Sequence, residues 1–304
     1  MRIFIAGATG VIGRRVVPLL MATGHQVTAV GRTPEKCVAL ERMGAAALQI
    51  DLFNSAVVRQ AVADHDAVIN LTTSIPTFSR VFFRGAWREN DRIRRIVSAN
   101  LAEAAKTIGI PRLIQESFAP AYPDSGDDWV EEQTALQPVR YNQSLLDAEA
   151  AAMRFIGYGG AGVILRFAFF YGADSGFTRD ACQYIRRGWA PVFGSTTAFM
   201  SSISHDDAAT AVVAALNAGS GVYNVADDEP VRRREYAESL ASVLGVAPPK
   251  FPPAFLARLF GSLGKMLSRS IRVSNRKLRA ETGWKPMYPS VREGWRAIVK
   301  TFTT

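Results

Sequence analysis

The chain has 304 residues, 48% hydrophobic and 21% charged, an ordinary globular composition with room for one large domain or two small ones. Its two cysteines, Cys37 and Cys182, lack metal-ligand spacing and the density of a disulfide framework, and its three histidines are scattered at 25, 65 and 205, so no metal is expected and a reducing cytoplasm fits. No apolar run reaches membrane-spanning length, and the +9 formal charge comes without a nucleic-acid module, so neither membrane nor nucleic acid is an expected partner.

In chain order, residues 1–6 form an apolar run that enters Gly7-Ala8-Thr9-Gly10-Val11-Ile12-Gly13. Residues 14–22 then carry Val16, Val17, Leu19 and Leu20 at helical spacing, with Pro18 expected to kink the helix or displace a hydrogen bond. Strand, glycine turn and helix in succession predict a pyrophosphate site. Glycines allow the tight turn, the close approach of backbone N–H groups and close helix packing, and the helix N-terminus faces the anion. A second strand over 26–30 ends at Gly31-Arg32-Thr33, with no acid before Glu35. An acid there would select NAD through the ribose 2′-hydroxyl; Arg32 instead offers a fork for a 2′-phosphate, with Arg14 as a second contact. NADP(H) is the preferred cofactor on this reading and NAD(H) the alternative. A third strand over 48–51 ends at Asp51, which either accepts from an adenine amino group or caps the turn at Asn54.

Strand and helix patterns go on alternating: a strand over 67–71, a helix over 93–108, a strand over 111–115, a helix over 141–156 and a strand over 162–170. A helix over 207–218 and a strand over 222–225, able to rejoin the sheet, follow. The alternation predicts an α/β, doubly wound parallel sheet of Rossmann type with helices on both faces. The expected division is a nucleotide-binding domain over 1–172 and a smaller, partly interleaved substrate lobe over 173–304, with 201–226 returning to the core. The apolar, lightly basic segment 251–267 reads as a cover for a pocket or a subunit contact, with a membrane surface as the lesser reading. The basic stretches at 84–95 and beyond Arg258 read as solvated faces that attract an anionic cofactor or substrate.

With these residues in hand, the chain resembles the short-chain dehydrogenase/reductase superfamily, in its extended and atypical branch of NAD-dependent epimerase/dehydratase-like proteins. The resemblance runs nearly end to end. Residues 7–13 look like the phosphate turn, Asp51-Leu52 like the adenine-side acid, and Asn70-Leu71-Thr72-Thr73 like the segment beneath the cofactor. Leu165-Arg166 and Tyr171-Gly172, with Phe167 between them near the nicotinamide, resemble the "LRP…YG" stretch. His205-Asp206-Asp207 resembles "HVDD", and residues 221–224 and 283–286 resemble the late "YN" and "GWKP" stretches. The family uses a tyrosine as proton donor and acceptor, a lysine four residues later that holds the nicotinamide ribose and lowers the tyrosine pKa, and a serine or threonine that orients the substrate oxygen.

Tyr141 matches the tyrosine, but Leu145 stands at the lysine position, Phe118 at the serine position and Arg94 where many members carry asparagine. The catalytic candidates are Tyr141, Ser117 and Glu116. Ser117 would orient a substrate oxygen. Glu116, at the carboxyl end of a central strand, either acts as general acid or base or salt-bridges a neighbouring arginine. Ser204-His205-Asp206 cannot form a Ser-His-Asp triad, because adjacent residues do not produce its chain of hydrogen bonds; Asp206 reads as a helix N-cap. The expected function is an NADP(H)-binding oxidoreductase acting on a carbonyl or hydroxyl of a small molecule. The alternatives are an epimerase/dehydratase-like enzyme or non-redox lyase or isomerase using Glu116, and a non-catalytic NADP(H) sensor or scaffold. The resemblance also implies a homodimer through the helices over 93–108 and 141–156.

Overall fold

Seven parallel strands form one central sheet in the computed structural model, which describes residues 1–77 and 80–303. They are β1 (Arg2–Ala6), β2 (Gln26–Val30), β3 (Ala46–Leu48), β4 (Ala67–Asn70), β5 (Arg112–Phe118), β6 (Ala161–Phe167) and β7 (Gly221–Val225), in the order β7-β6-β5-β4-β1-β2-β3. The helices are α1 (Gly13–Ala22), α2 (Pro34–Arg42), α3 (Ser55–Val62), α4 (Arg88–Arg92), α5 (Ser98–Ile108), α6 (Leu145–Gly157), α7 (Gly176–Arg186), α8 (His205–Ala214), α9 (Arg233–Val243), α10 (Gly261–Ser268), α11 (Arg276–Thr282) and α12 (Val291–Thr303). Every residue of β4 is buried, as expected of a parallel strand covered on both faces. Alternate residues feed two cores. Ile3, Ile5 and Ile69 meet α1 and α8 on one face, while Phe4 and Val68 meet α3, α5 and α6 on the other. The chain order reverses at β1, between β2 and β4, where an α/β sheet opens a crevice at its carboxyl edge.

Several elements differ from the sequence pattern for local reasons. The third strand lies at Ala46–Leu48 because Asp51 Oδ1 accepts from Phe53 N (2.9 Å) and Asn54 caps α3, turning the chain that was expected to be extended. The helix over 93–108 reaches back to Arg88 through a π-helical turn, Ile93–Val97. The strand over 111–115 continues to Phe118. The helix over 141–156 begins only at Leu145, because residues 139–145 are held by tighter bonds such as Asn142 N to Val139 O and Leu145 N to Asn142 O. The strand over 162–170 breaks at Ala168. Beyond it Phe169–Tyr171 leaves the central sheet and pairs with Ser202–Ser204. Helix α8 is capped by Ser204, whose Oγ accepts from Asp207 N (2.9 Å), so Asp206 is a first-turn residue rather than the cap. Helix α1 runs unbroken through Pro18, an exposed residue.

Beyond the sheet, α7, α9 and α12 enclose a separate core around Tyr171, Tyr236, Leu240 and Trp295. Residues Leu263 and Met266 of α10 pack with Val81, Trp87 and Val139, and Phe82, Phe118 and Tyr141 border that cluster. The 251–267 segment thus covers the connections that follow β4 and β5, although Phe255 and Leu259 face solvent. Among the described residues no helix is long and apolar enough to cross a membrane.

Candidate functional site

The glycine turn follows β1 at the crevice, and two of its glycines, Gly7 and Gly13, are sterically required. A Cβ on Gly7 (φ +84°) would lie 2.6 Å from the Leu71 carbonyl, and one on Gly13 would lie 2.3 Å from Gly7 O. The turn closes through Gly10 N to Gly7 O (3.0 Å) and continues into α1 with Arg14 N to Gly10 O (3.1 Å). Ala8 and Ile12 anchor it in the core, while Thr9, Gly10 and Val11 face outward. Helix α1 has no side-chain cap and no acid in its first turn. A backbone cradle at the positive end of an uncapped helix fits a dinucleotide pyrophosphate.

On the β2 side, Arg32 is exposed and has no hydrogen-bond or ion-pair partner among the described residues. The Glu35 carboxyl is held below the ordinary value by the Thr33 hydroxyl. Asp51 is engaged with Phe53 N, and the Leu52 carbonyl accepts from Asn100 (3.0 Å). Arg14 is bonded to Asp174 through one guanidinium nitrogen. Next to the turn, buried Asn70 at the end of β4 donates to Ser98 Oγ (3.1 Å) and Gln115 Oε1 (2.9 Å), and its own oxygen accepts from Thr72 N and Oγ1. That side chain fixes the path of Leu71, Thr72 and Thr73 over the crevice. Phe167 ends β6 with its ring 1% exposed in the core, so only its backbone can face a ligand.

The three catalytic candidates are not brought together. Ser117 is fully buried and donates to Glu149 Oε1 (2.5 Å), on the side of β5 that faces α6, which removes it as an orienting hydroxyl. Glu149 is also gripped by Arg166 through two bonds (2.8 and 2.7 Å), so the serine belongs to a buried charge network. Glu116 is ion-paired with Arg94 (2.8 and 3.2 Å), the arginine on the π-helical turn. Burial pushes the Glu116 carboxyl up and Arg94 pulls against it. Tyr122 lies beneath, donating to Asn224 and accepting from Arg166; burial pushes its phenol up to about 12.

Tyr141 is half-buried. Its ring meets Trp87 edge-on at 5.9 Å and its hydroxyl donates to the Phe82 carbonyl (3.2 Å). It lines a cavity of about 310 Å³ whose walls include neither Ser117 nor Glu116. The cavity lies between the start of α4 and the turn before α6. Both segments leave the carboxyl edge of the sheet, after β4 and β5. Leu145, at the family's lysine position, is fully buried.

The sequence pattern gives no sign of Asp174 as a site residue. It accepts from Arg14, Arg15 (2.7 Å) and His205 Nδ1 (2.8 Å), and Arg15 also pairs with Asp206. Burial works to raise the Asp174 carboxyl, but bonds from Arg15 and His205 outweigh it and hold it below the ordinary carboxylate range. Burial in turn lowers the pKa of His205. The cluster ties the first turn of α1 to α8 across more than 150 residues of chain. Ser204 bonds Asp207 rather than His205, which agrees with the rejection of a triad. The adjacent arginines at 14 and 15 were the available signal; their partner 160 residues away was not.

Comparison with known proteins matches this geometry. Residues 7–219 fit a family profile described as NAD(P)H-binding. A 3-diazoavenalumate denitrifying reductase of Streptomyces sp. is 33% identical, over 97% of this chain and 99% of the relative. A 4-hydroxy-2-methyl-3-oxo-4-farnesyl-3,4-dihydroquinoline-1-oxide ketoreductase of Stigmatella aurantiaca is 27% identical over 89% of this chain and 82% of its own. Two solved structures share the fold at a TM-score of 0.80: UDP-glucose 4-epimerase of Thermotoga maritima with UDP-glucose (20% identity, 100% and 99% of the two chains) and the human epimerase family protein SDR39U1 with NADPH (22%, 99% of each). The chain belongs to this NAD(P)H-binding family, shares its fold with the epimerase structures, and is an oxidoreductase-type enzyme.

Proposed function

We propose that the protein is an NADP(H)-preferring reductase of a small-molecule carbonyl, with Tyr141 exchanging the proton at the substrate oxygen. The observation that carries this reading is Tyr141 on the wall of a cavity formed by the segments that follow β4 and β5, in a chain whose β1 ends in an intact glycine cradle. The nicotinamide, when bound, supplies or accepts the hydride. The backbone of residues 7–13 holds the pyrophosphate, Arg32 pairs the 2′-phosphate, and the Asn70-braced segment supports the cofactor from below. The Tyr141 hydroxyl exchanges its bond to the Phe82 carbonyl for one to the substrate oxygen. Glu116 and Ser117 keep the strand end rigid through Arg94 and Glu149 and take no part in proton transfer, which weighs against a lyase or isomerase built on Glu116.

Calorimetric titration with NADPH and NADH at one moderate salt concentration tests the cofactor half. NADPH is expected to bind more tightly, and Arg32→Ala to weaken it by about 10- to 100-fold, the worth of a charge-assisted bond, with NADH unaffected. Tyr141→Phe is expected to lower kcat about 100-fold or more while leaving the NADPH Kd unchanged. Equal affinity for both nucleotides, or full turnover in Tyr141→Phe, would refute the corresponding half.

A further inference from the structure

The cavity beside Tyr141 carries more positive charge than its carboxylate can balance. Its walls include Arg84, Trp87, Arg88, Asp91, Arg140 and Tyr141. Arg84 and Arg88 stand one helical turn apart in the segment that leads into α4, and Arg140 comes from the turn before α6. None of the three guanidinium groups has a hydrogen-bond or ion-pair partner among the described residues. Asp91 offsets them only in part, and its Oδ1 accepts from Ser144 Oγ (2.7 Å) instead. The buried arginines Arg94 and Arg166 are paired instead with carboxylates, Arg94 with Glu116 and Arg166 with Glu149.

Three like charges around one hollow repel each other. An anion seated among them relieves that repulsion and gains charge-assisted bonds. The rings of Trp87 and Tyr141 give the same hollow an apolar flank. A volume of about 310 Å³ is at the small end for ligand pockets and suits a one-ring compound. The phosphate turn follows β1, whereas this cavity follows β4 and β5, so its charge is separate from the pyrophosphate cradle.

We infer that this cavity anchors the acid group of the substrate: a small, ring-bearing organic acid whose anion is held by Arg84, Arg88 and Arg140, with its reactive carbonyl directed at Tyr141. The inference rests on the reading of Tyr141 as the proton donor and names the substrate class for that site.

The test is a calorimetric titration of the full chain with benzoate, with benzyl alcohol as the neutral control, for the natural protein, Arg88→Gln, Arg140→Gln and Arg88→Lys. NADPH is titrated into each in parallel. Benzoate is expected to bind in preference to benzyl alcohol and to weaken as salt rises. Each glutamine variant should weaken it at least 10-fold, and Arg88→Lys should restore part of the loss. NADPH affinity should be the same in all four proteins, which also shows that they are folded. Benzoate binding no better than benzyl alcohol, equal binding in the glutamine variants, or displacement of benzoate by NADPH would overturn the inference. NADPH binding without benzoate binding would remove this inference alone. Arginine-dependent benzoate binding without NADPH binding would keep the anion site and remove the cofactor reading.

Discussion

Replacing Arg94 by leucine separates a structural Glu116 from a catalytic one. The pair is almost closed to solvent, with side-chain exposures of 3% and 10%, and is joined at 2.8 Å. Removing one member of such a pair strands the other charge and costs about 3–5 kcal/mol. The direction with pH follows from the carboxyl. Burial raises Glu116 above its ordinary value while Arg94 opposes the rise, so Arg94→Leu pushes it higher still. A folded pKa above the unfolded one means that the native state holds the extra proton through that interval. The associated stability is fully present below the unfolded pKa and is lost as pH rises through the folded one. Arg94→Leu is thus expected to cost about 3–5 kcal/mol at pH 8 and clearly less at pH 5, where a protonated Glu116 no longer needs a cation. Urea unfolding at the two pH values, followed by tryptophan fluorescence, measures both figures. Pairing the variant with Glu116→Gln completes a double-mutant cycle, and the double variant should be much more stable than the two single losses added together. A loss that is the same at both pH values, or strictly additive losses, would show that the two groups do not depend on each other.

Gly13→Ala places a methyl 2.3 Å from Gly7 O, so it should cost about 1–3 kcal/mol in thermal unfolding and abolish NADPH binding by calorimetry. Ser117→Ala removes a buried bond to Glu149 and should cost about 1.5–3 kcal/mol of stability while leaving kcat intact; a large fall in kcat at unchanged stability would return Ser117 to the mechanism. Asp174 is held below its ordinary value, so its contribution is present above the unfolded pKa and lost as pH falls through the folded one. Asp174→Asn should therefore be less stable than the natural protein at pH 7, with the gap closing below about pH 4 in melting experiments.

The parallel sheet and its cradle were legible because their causes are local. Gly7 and Gly13 must be glycine for contacts within the turn or to the adjoining β4 exit, and the buried strands write their apolar runs directly into the sequence. Element ends were less legible where a side chain competes with the regular ladder. Asp51 and Asn54 curtail the third strand, and Ser204 takes the cap that Asp206 was expected to hold. The candidate site was least legible, because the role of each of its side chains depends on partners distant in the chain. Position 117 reads as a strand-end serine until Glu149 is found facing it, and position 116 is open between an acid–base role and a salt bridge until the π-helical turn sets Arg94 against it. The charge pattern over 84–95 was visible, but its convergence with Arg140 on one hollow required the fold.

The leucine at the lysine position acquires a meaning from the same geometry. Leu145 is fully buried at the start of α6, and one turn on, Glu149 directs its carboxylate into the sheet to meet Ser117 and Arg166. A lysine at 145 would have to bury an ammonium where the chain now places an apolar side chain, at the cost of losing its hydration. The positive charge that a short-chain reductase ordinarily sets one helical turn after its tyrosine is absent from this helix position. It is found instead across the cavity, where Arg84, Arg88 and Arg140 share a wall with Tyr141. Cations in that place favour an anionic substrate. With the acid group seated among those arginines, proton exchange at Tyr141 should be fastest with a substrate that bears it and slow with a neutral carbonyl of the same size, because the anchored acid sets the position of the reactive oxygen. Substrate charge would then act through placement, by fixing the geometry in which the tyrosine meets the oxygen.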